Sequence, residues 1–301
     1  MSTQVPRLFA GLVDDAAVFP PGSAALSDAV VAHRRHRTAW YAGLVGPLLV
    51  PASTLPALAA ELDPGERIVV GVIADVPIDQ LERVLAEADR RITVWQIEAA
   101  VAKRGEDPLP GLAELTELAR RAAGSRPDGW PAGEGGRPPS LDVYAEIPLT
   151  FGLTGALDTV AQARAGGLPV AAKFRTGGLA AELFPTPVEL AAVICACRDR
   201  RLPFKLTAGL HHAVRHRDPE TGFTHHGFVN VLAAVLAATG GAEVDSVAEL
   251  LAATDPVRLG ERARADRDAE RPLWIGYGSC SIEEPLTDLI RLGLVNGGYE
   301  E

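Results

Sequence analysis

A chain of 301 residues with 47% hydrophobic content is long enough to bury one large core, and a single domain over 1–301 fits it better than two small ones. A formal charge of −10 argues against nucleic-acid or anionic-membrane partners, which need a basic surface, and no apolar run reaches the ~18 to 20 residues that cross a bilayer. The start, MSTQVPRLFAGLVDDAAVF, lacks a basic-then-apolar leader, so the expectation is a cytoplasmic protein; three cysteines, with Cys195 and Cys197 in one apolar helical stretch, match no disulfide framework or zinc pattern.

Short apolar, β-branched runs alternate with longer helical patterns along the whole chain, the sequence form of repeated βα units around a parallel sheet. Strands are expected near 8–13, 46–51, 67–74, 91–97, 141–147, 169–174, 203–207 and 273–277. Helices are expected near 25–37, 53–62, 78–90, 111–123, 154–166, 186–200, 226–239 and 283–293. Ser53, Thr186 and Ser281 mark helix starts, and Leu112, Leu115, Leu118, Ala119 and Ala122 share one helical face. The fold class is α/β, a (β/α)₈ TIM barrel with an extended loop after strand seven and an extra helix near 245–254 before strand eight. The charged stretch RLGERARADRDAERP precedes that last strand, and the Gly- and Pro-rich segment 124–140 reads as a mobile loop on the face opposite the active site.

In such a barrel the catalytic groups come from the C-terminal ends of the strands. Side chains alternate along a strand, so Gln96 pairs in direction with Glu98, Tyr144 with Glu146, Lys173 with Arg175, and Lys205 with Thr207. Asp75 ends strand three and the pair Asp14 and Asp15 ends strand one. Only three of the 29 basic residues are lysine, Lys103, Lys173 and Lys205, so each lysine that is present reads as needed for its amine. Two lysines held close, and desolvated, should each have a depressed pKa, giving a neutral amine that attacks a carbonyl. Glu146 or Glu98 would then move protons. The competing reading is a salt-bridge network that only closes the top of the barrel.

AKFRTGG on strand six and FKLTAGL on strand seven resemble the paired lysine strands of class I (Schiff-base) aldolases of the deoxyribose-phosphate aldolase type. The resemblance implies Lys173 as the imine former and Lys205 as its modulator, with Thr176, Gly177, Gly178 and Thr207 around the substrate. GYGSCS resembles that family's phosphate-binding turn and maps onto Gly276, Gly278 and Ser279. The motifs depart from the family in Arg175, which suits a substrate carboxylate or phosphate, and in the Leu-His-His that follows strand seven.

Five of the seven histidines, His211, His212, His216, His225 and His226, fall on the loop after strand seven. They are candidates for a metal such as zinc with Glu146 or Asp75 added, although the spacing matches no histidine signature. His211 and His212 are equally candidates for acid–base or substrate-binding roles, and Asp14 and Asp15 for binding substrate hydroxyls. His33 and His36 read as surface residues and Cys280 as a packing residue. Together these features predict an aldolase-like lyase that needs no cofactor and acts on a small carbonyl substrate with a carboxylate or phosphate. The alternatives are a metal-dependent hydrolase or lyase and a non-catalytic anion-binding barrel. The composition is compatible with a homo-oligomer.

Overall fold

The computed structural model describes residues 5–124 and 141–297, so most of the Gly- and Pro-rich segment lies outside the described residues. Its strands are β1 Val13–Asp15, β2 Val45–Pro51, β3 Ile68–Ile73, β4 Ile92–Ala100, β5 Asp142–Glu146, β6 Val170–Arg175, β7 Phe204–Thr207, β8 His216–Arg217, β9 Thr224–His225 and β10 Trp274–Ser279. Eight of these form a closed barrel in the order β1, β10, β7, β6, β5, β4, β3, β2, while β8 and β9 make a separate antiparallel hairpin. The helices are α1 Leu26–Thr38, α2 Leu55–Ala60, α3 Ile78–Ala86, α4 Leu109–Gly124, α5 Leu153–Ala165, α6 Pro187–Asp199, α7 Phe228–Thr239, α8 Val244–Ala252, α9 Pro256–Ala265 and α10 Glu283–Arg291. Strand and helix alternate as the sequence predicts, and the barrel is of the TIM type. Among the described residues no helix is long and apolar enough to cross a membrane.

Two expected elements differ. The first strand is not at 8–13: Arg7–Phe9 form a short 3-10 turn, Gly11 takes a φ of +55°, and pairing starts only at Val13. Leu8, Phe9 and Leu12 are apolar because they are fully buried, and the segment is held by Arg271, whose guanidinium donates to the carbonyls of Leu8, Ala10, Trp274 and Ile275. The charged stretch after 257 is largely the helix α9. Asp255 caps it through Val257 N–H at 2.9 Å, Pro256 opens it, and Leu259, Gly260 and Ala263 are its buried stripe.

The chain packs into two compact units, Met1–Gly46 with Phe174–Glu301, and Pro47–Lys173. In the first unit β10 pairs with both β1 and β7, and α7 is buried nearly all round because α6, α8 and α9 pack against it. Thr186 caps α6 in a reciprocal capping box with Glu189, and Pro187 supplies the first turn, as its sequence signals. In the second unit β2 to β6 pair in sequence order, α4 packs against α3 and α5, and Leu112, Leu115, Leu118 and Ala119 of α4 are buried.

Candidate active site

Lys173 is the hub of a polar cluster in the second unit. Glu98 is in register with Tyr144, Tyr144 with Ala171, and Glu146 with Lys173, so strand alternation turns all of these, with Gln96, to one face. Lys173 Nζ lies 2.7 Å from Glu98 Oε2 and 2.8 Å from Glu146 Oε2. The Gln96 amide donates to Glu98 Oε1 at 3.1 Å. Side-chain exposure separates the two carboxylates: Glu98 is 1% exposed and Glu146 is 17% exposed, so Glu146 is the one that meets solvent. Gly71, in register with Gln96, makes the room. A Cβ there would stand 2.7 Å from both Cγ and Nε2 of Gln96 and 2.5 Å from Leu49 Cδ2.

These neighbours reverse the expected titration of Lys173. Burial works against its charge, but the carboxylates of Glu98 and Glu146 outweigh burial and hold its pKa above the ordinary lysine value. The resting side chain is therefore an ammonium rather than a neutral amine. Sequence parity identified both acids; it carried no information on how closely they approach.

Lys205 belongs to the first unit and has a different partner. Its ammonium pairs with Asp14, and both side chains are almost fully buried. A Cβ at Gly46 would overlap Asp14 Oδ1, so glycine at that position is what admits the carboxylate. Asp15, the next residue, faces the opposite side of β1, and its Oδ2 bonds to His33 Nδ1 of α1 at 3.0 Å. Asp14 and Asp15 therefore do not act on one substrate hydroxyl together. This corrects the surface assignment of two histidines: His33 is 4% exposed and His36, bonded to the Tyr41 hydroxyl at 2.9 Å, is 5% exposed. The signal was available, because adjacent acids on a strand cannot both face the barrel axis, and the outward one needs a polar partner in the helix layer.

No family model, curated protein or solved structure matches the chain. What the structure shares with the aldolase resemblance is the TIM-type barrel itself.

The remaining expected site residues fall on loops of the first unit. Thr176 is fully buried, and its hydroxyl donates to the carbonyl of Ala208 at 2.6 Å. Gly177 lies against Gly209, which has a φ of +76°; a Cβ on Gly177 would sit 2.8 Å from Gly209 Cα. The two turns after β6 and β7 thus brace each other through backbone, and Gly178 is packed against Leu183. Arg175 ends β6 as an exposed residue, and Thr207 ends β7 half-buried. Gly276 has a φ of +153° and approaches Leu12, whose carbonyl oxygen would be 2.6 Å from a Cβ, at an irregularity in the β10–β7 pairing. Gly278 is in register with Asp14 and Thr207. Ser279 is buried and donates to Ser281 O at 2.7 Å, and Glu284 N–H, in the first turn of α10, already has Ser281 Oγ as its acceptor at 3.2 Å. That turn also carries Glu283, so an incoming phosphate would meet two carboxylates.

Three of the histidines come together at the β8–β9 hairpin, His212 meeting His216 edge-on with ring centroids 4.7 Å apart and His216 in turn meeting His225. His211 Nδ1 is 3.1 Å from Glu284 Oε2 and 3.8 Å from Cys280 Sγ, and His212 Nδ1 is 3.3 Å from Asp288 Oδ2. His216 stacks on His225 with ring centroids 5.3 Å apart, and His225 bonds to the Gly209 carbonyl. His226 is fully buried: its Nε2 donates to Pro185 O at 2.7 Å and its Nδ1 accepts from Arg215 at 3.4 Å. Burial lowers the pKa of His211 and His216, and lowers that of His226 to about 4. Asp75, the other candidate ligand, accepts from the Ser53 hydroxyl and N–H, fixing the start of the β2–α2 connection. Among the described residues no group of three or more His, Cys, Asp or Glu side chains is arranged to hold a metal ion.

Proposed function

We propose that the chain is a carbon–carbon lyase of the aldolase type, forming an imine between Lys173 and a small oxygenated carbonyl substrate. The observation that carries this reading is one buried lysine held between two carboxylates at 2.7 and 2.8 Å, only one of which meets solvent. The second acid gives the cluster a formal charge of −1, which disfavours an anion-binding role and provides a base beside the amine.

The steps balance without any further reagent. Lys173 passes one proton to Glu146, and the freed amine adds to the carbonyl carbon to give a carbinolamine. Glu146 returns the proton to the carbinolamine hydroxyl, water leaves, and the lysine is now an iminium ion. A carboxylate then takes the proton of the β-hydroxyl as the carbon–carbon bond breaks into the iminium, which becomes an enamine; the carboxyl returns that proton to the enamine carbon, and water hydrolyses the iminium to release the second product and Lys173. Lys205, closed by Asp14, takes no step.

Borohydride reduction in the presence of glycolaldehyde, glyceraldehyde or pyruvate, followed by peptide mass mapping, tests the imine. With three lysines in the chain, the expected adduct is on Lys173 and is absent in Lys173→Arg. Adducts on exposed Lys103 alone, with every carbonyl compound, would end the proposal.

A further inference from the structure

The loop after β7 folds back as a hairpin whose ladder holds two residue pairs, His216 with His225 and Arg217 with Thr224. The first pair sets two histidine rings directly opposite each other, stacked at 5.3 Å with 26° between their planes. His212 adds a third ring, edge-on to His216. The tautomers follow from the partners. His216 Nδ1 donates to the Val214 carbonyl and His225 Nδ1 to the Gly209 carbonyl, each at 3.2 Å, because a carbonyl only accepts. A further proton on either ring therefore enters at Nε2. On His225 that nitrogen is buried and has no hydrogen-bond partner, so the new N–H would meet no acceptor. Two charged rings in this register would also be like charges placed directly across a ladder, which drives strands apart.

We propose that the β8–β9 hairpin is an acid-released flap, closed while its stacked histidines are neutral and let go when they take up protons. Few contacts hold it. Phe184 packs against Phe223 at 4.9 Å and against His225 at 4.8 Å, and His225 is tied to Gly209. Gly209 lies in the turn after β7 that braces Gly177, so release frees one side of the turn that follows Lys205. The charged groups around the stack are Asp288 and Glu284 of α10, Asp218 of the hairpin, and Arg215 and Arg217 at its base. Asp288 takes His212 Nδ1 and Glu284 takes His211 Nδ1, Arg215 bonds to His226, and Arg217 donates to the Gly222 carbonyl. Asp218 favours a charged His216, but burial, with His212 and His225, holds its pKa below the ordinary histidine value of 6.5. A pKa lowered in the closed form stabilises closure above the open value, so closure is favoured above about pH 6.5 and weakens as the pH falls below it.

Hydrogen–deuterium exchange of the full chain, corrected for the intrinsic pH dependence of exchange, measures the opening without a substrate. From about pH 7.5 to about pH 5.5, protection of peptides within 212–227 should fall about ten-fold or more, the factor that one pKa unit represents. Peptides of β7 and β10 should keep theirs. His216→Phe retains a ring in the stack and removes the like charge, so it should lose less, and His216→Phe combined with His225→Phe should lose none. A wild-type hairpin that stays protected in acid, a loss shared equally by β7 and β10, or a double variant that loses as much as the wild type overturns the flap. Where the double variant is already open at neutral pH, the wild-type ring signals decide. Those of His216, assigned by their loss in His216→Phe, should titrate over the range in which protection falls, and titration outside that range overturns the inference.

Discussion

Two buried lysines in the same barrel have been given different surroundings. Lys205 pairs with the carboxylate of Asp14, which the missing side chain of Gly46 admits. Lys173 has two, Glu98 and Glu146, and a supporting amide admitted by Gly71. A two-to-one cluster retains a net charge and a base, and burying it is costly without a function to maintain it. The proposed reactive role belongs to the lysine that has two carboxylates against its amine, and not to lysine as such.

The hardest way to break the contrast is to remove each amine. Lys173→Met leaves two buried carboxylates and Lys205→Met leaves one, so urea unfolding should show losses of about 3 to 5 kcal/mol, with Lys173→Met the greater. Lys205→Met, when folded, should still be trapped on Lys173; loss of trapping there would show that the two lysines act as one site. Acid should separate the two units next. All seven histidines lie in the first unit and none in Pro47–Lys173. His226 has a folded pKa of about 4, below its unfolded value, so the unfolded chain binds the extra proton. Its contribution is fully present above about pH 6.5 and is lost as pH falls toward 4, on the order of 3 kcal/mol. Unfolding measured from pH 7 to 4 should show that slope, and His226→Gln should flatten it. The smallest effect is expected at Gly46→Ala, where crowding of Asp14 should cost about 1 to 3 kcal/mol in the same assay while leaving the trapping on Lys173 in place.

Much of this contrast was legible in the sequence, for reasons that mark the limits of reading one. The barrel follows from the alternation of apolar runs and amphipathic helices, and Thr186 and Pro187 announce α6 before any contact is known. Scarcity of lysine and period-two alternation located Lys173, Glu98 and Glu146 on one face. Distances were not legible, and they decide the titration of Lys173: with carboxylates at 2.7 and 2.8 Å its pKa rises where a lysine neighbour would have lowered it. His33 and His36 were misplaced because helix α1, carrying HRRHR, is polar on the face that meets Asp15 and Tyr41 as well as on its solvent face. The start of β1 was misplaced because Leu8, Phe9 and Leu12 are buried in a 3-10 turn and the residues after it, which composition cannot tell from a strand.

The clamp made by Arg271 has a consequence for the order in which a nascent chain is completed. Its four carbonyl partners come from both ends of the first unit, Leu8 and Ala10 near the start and Trp274 and Ile275 near the finish. Strand β1 likewise takes β10 as its neighbour, so residues 7–15 leave the ribosome long before their partners exist. Pro47–Lys173 is contiguous and emerges whole, ending on the lysine whose two acids it already contains. Every residue of the proposed reactive cluster has thus been synthesised before β7 and β10 exist, and the last strand to be made is the one that pairs with the first.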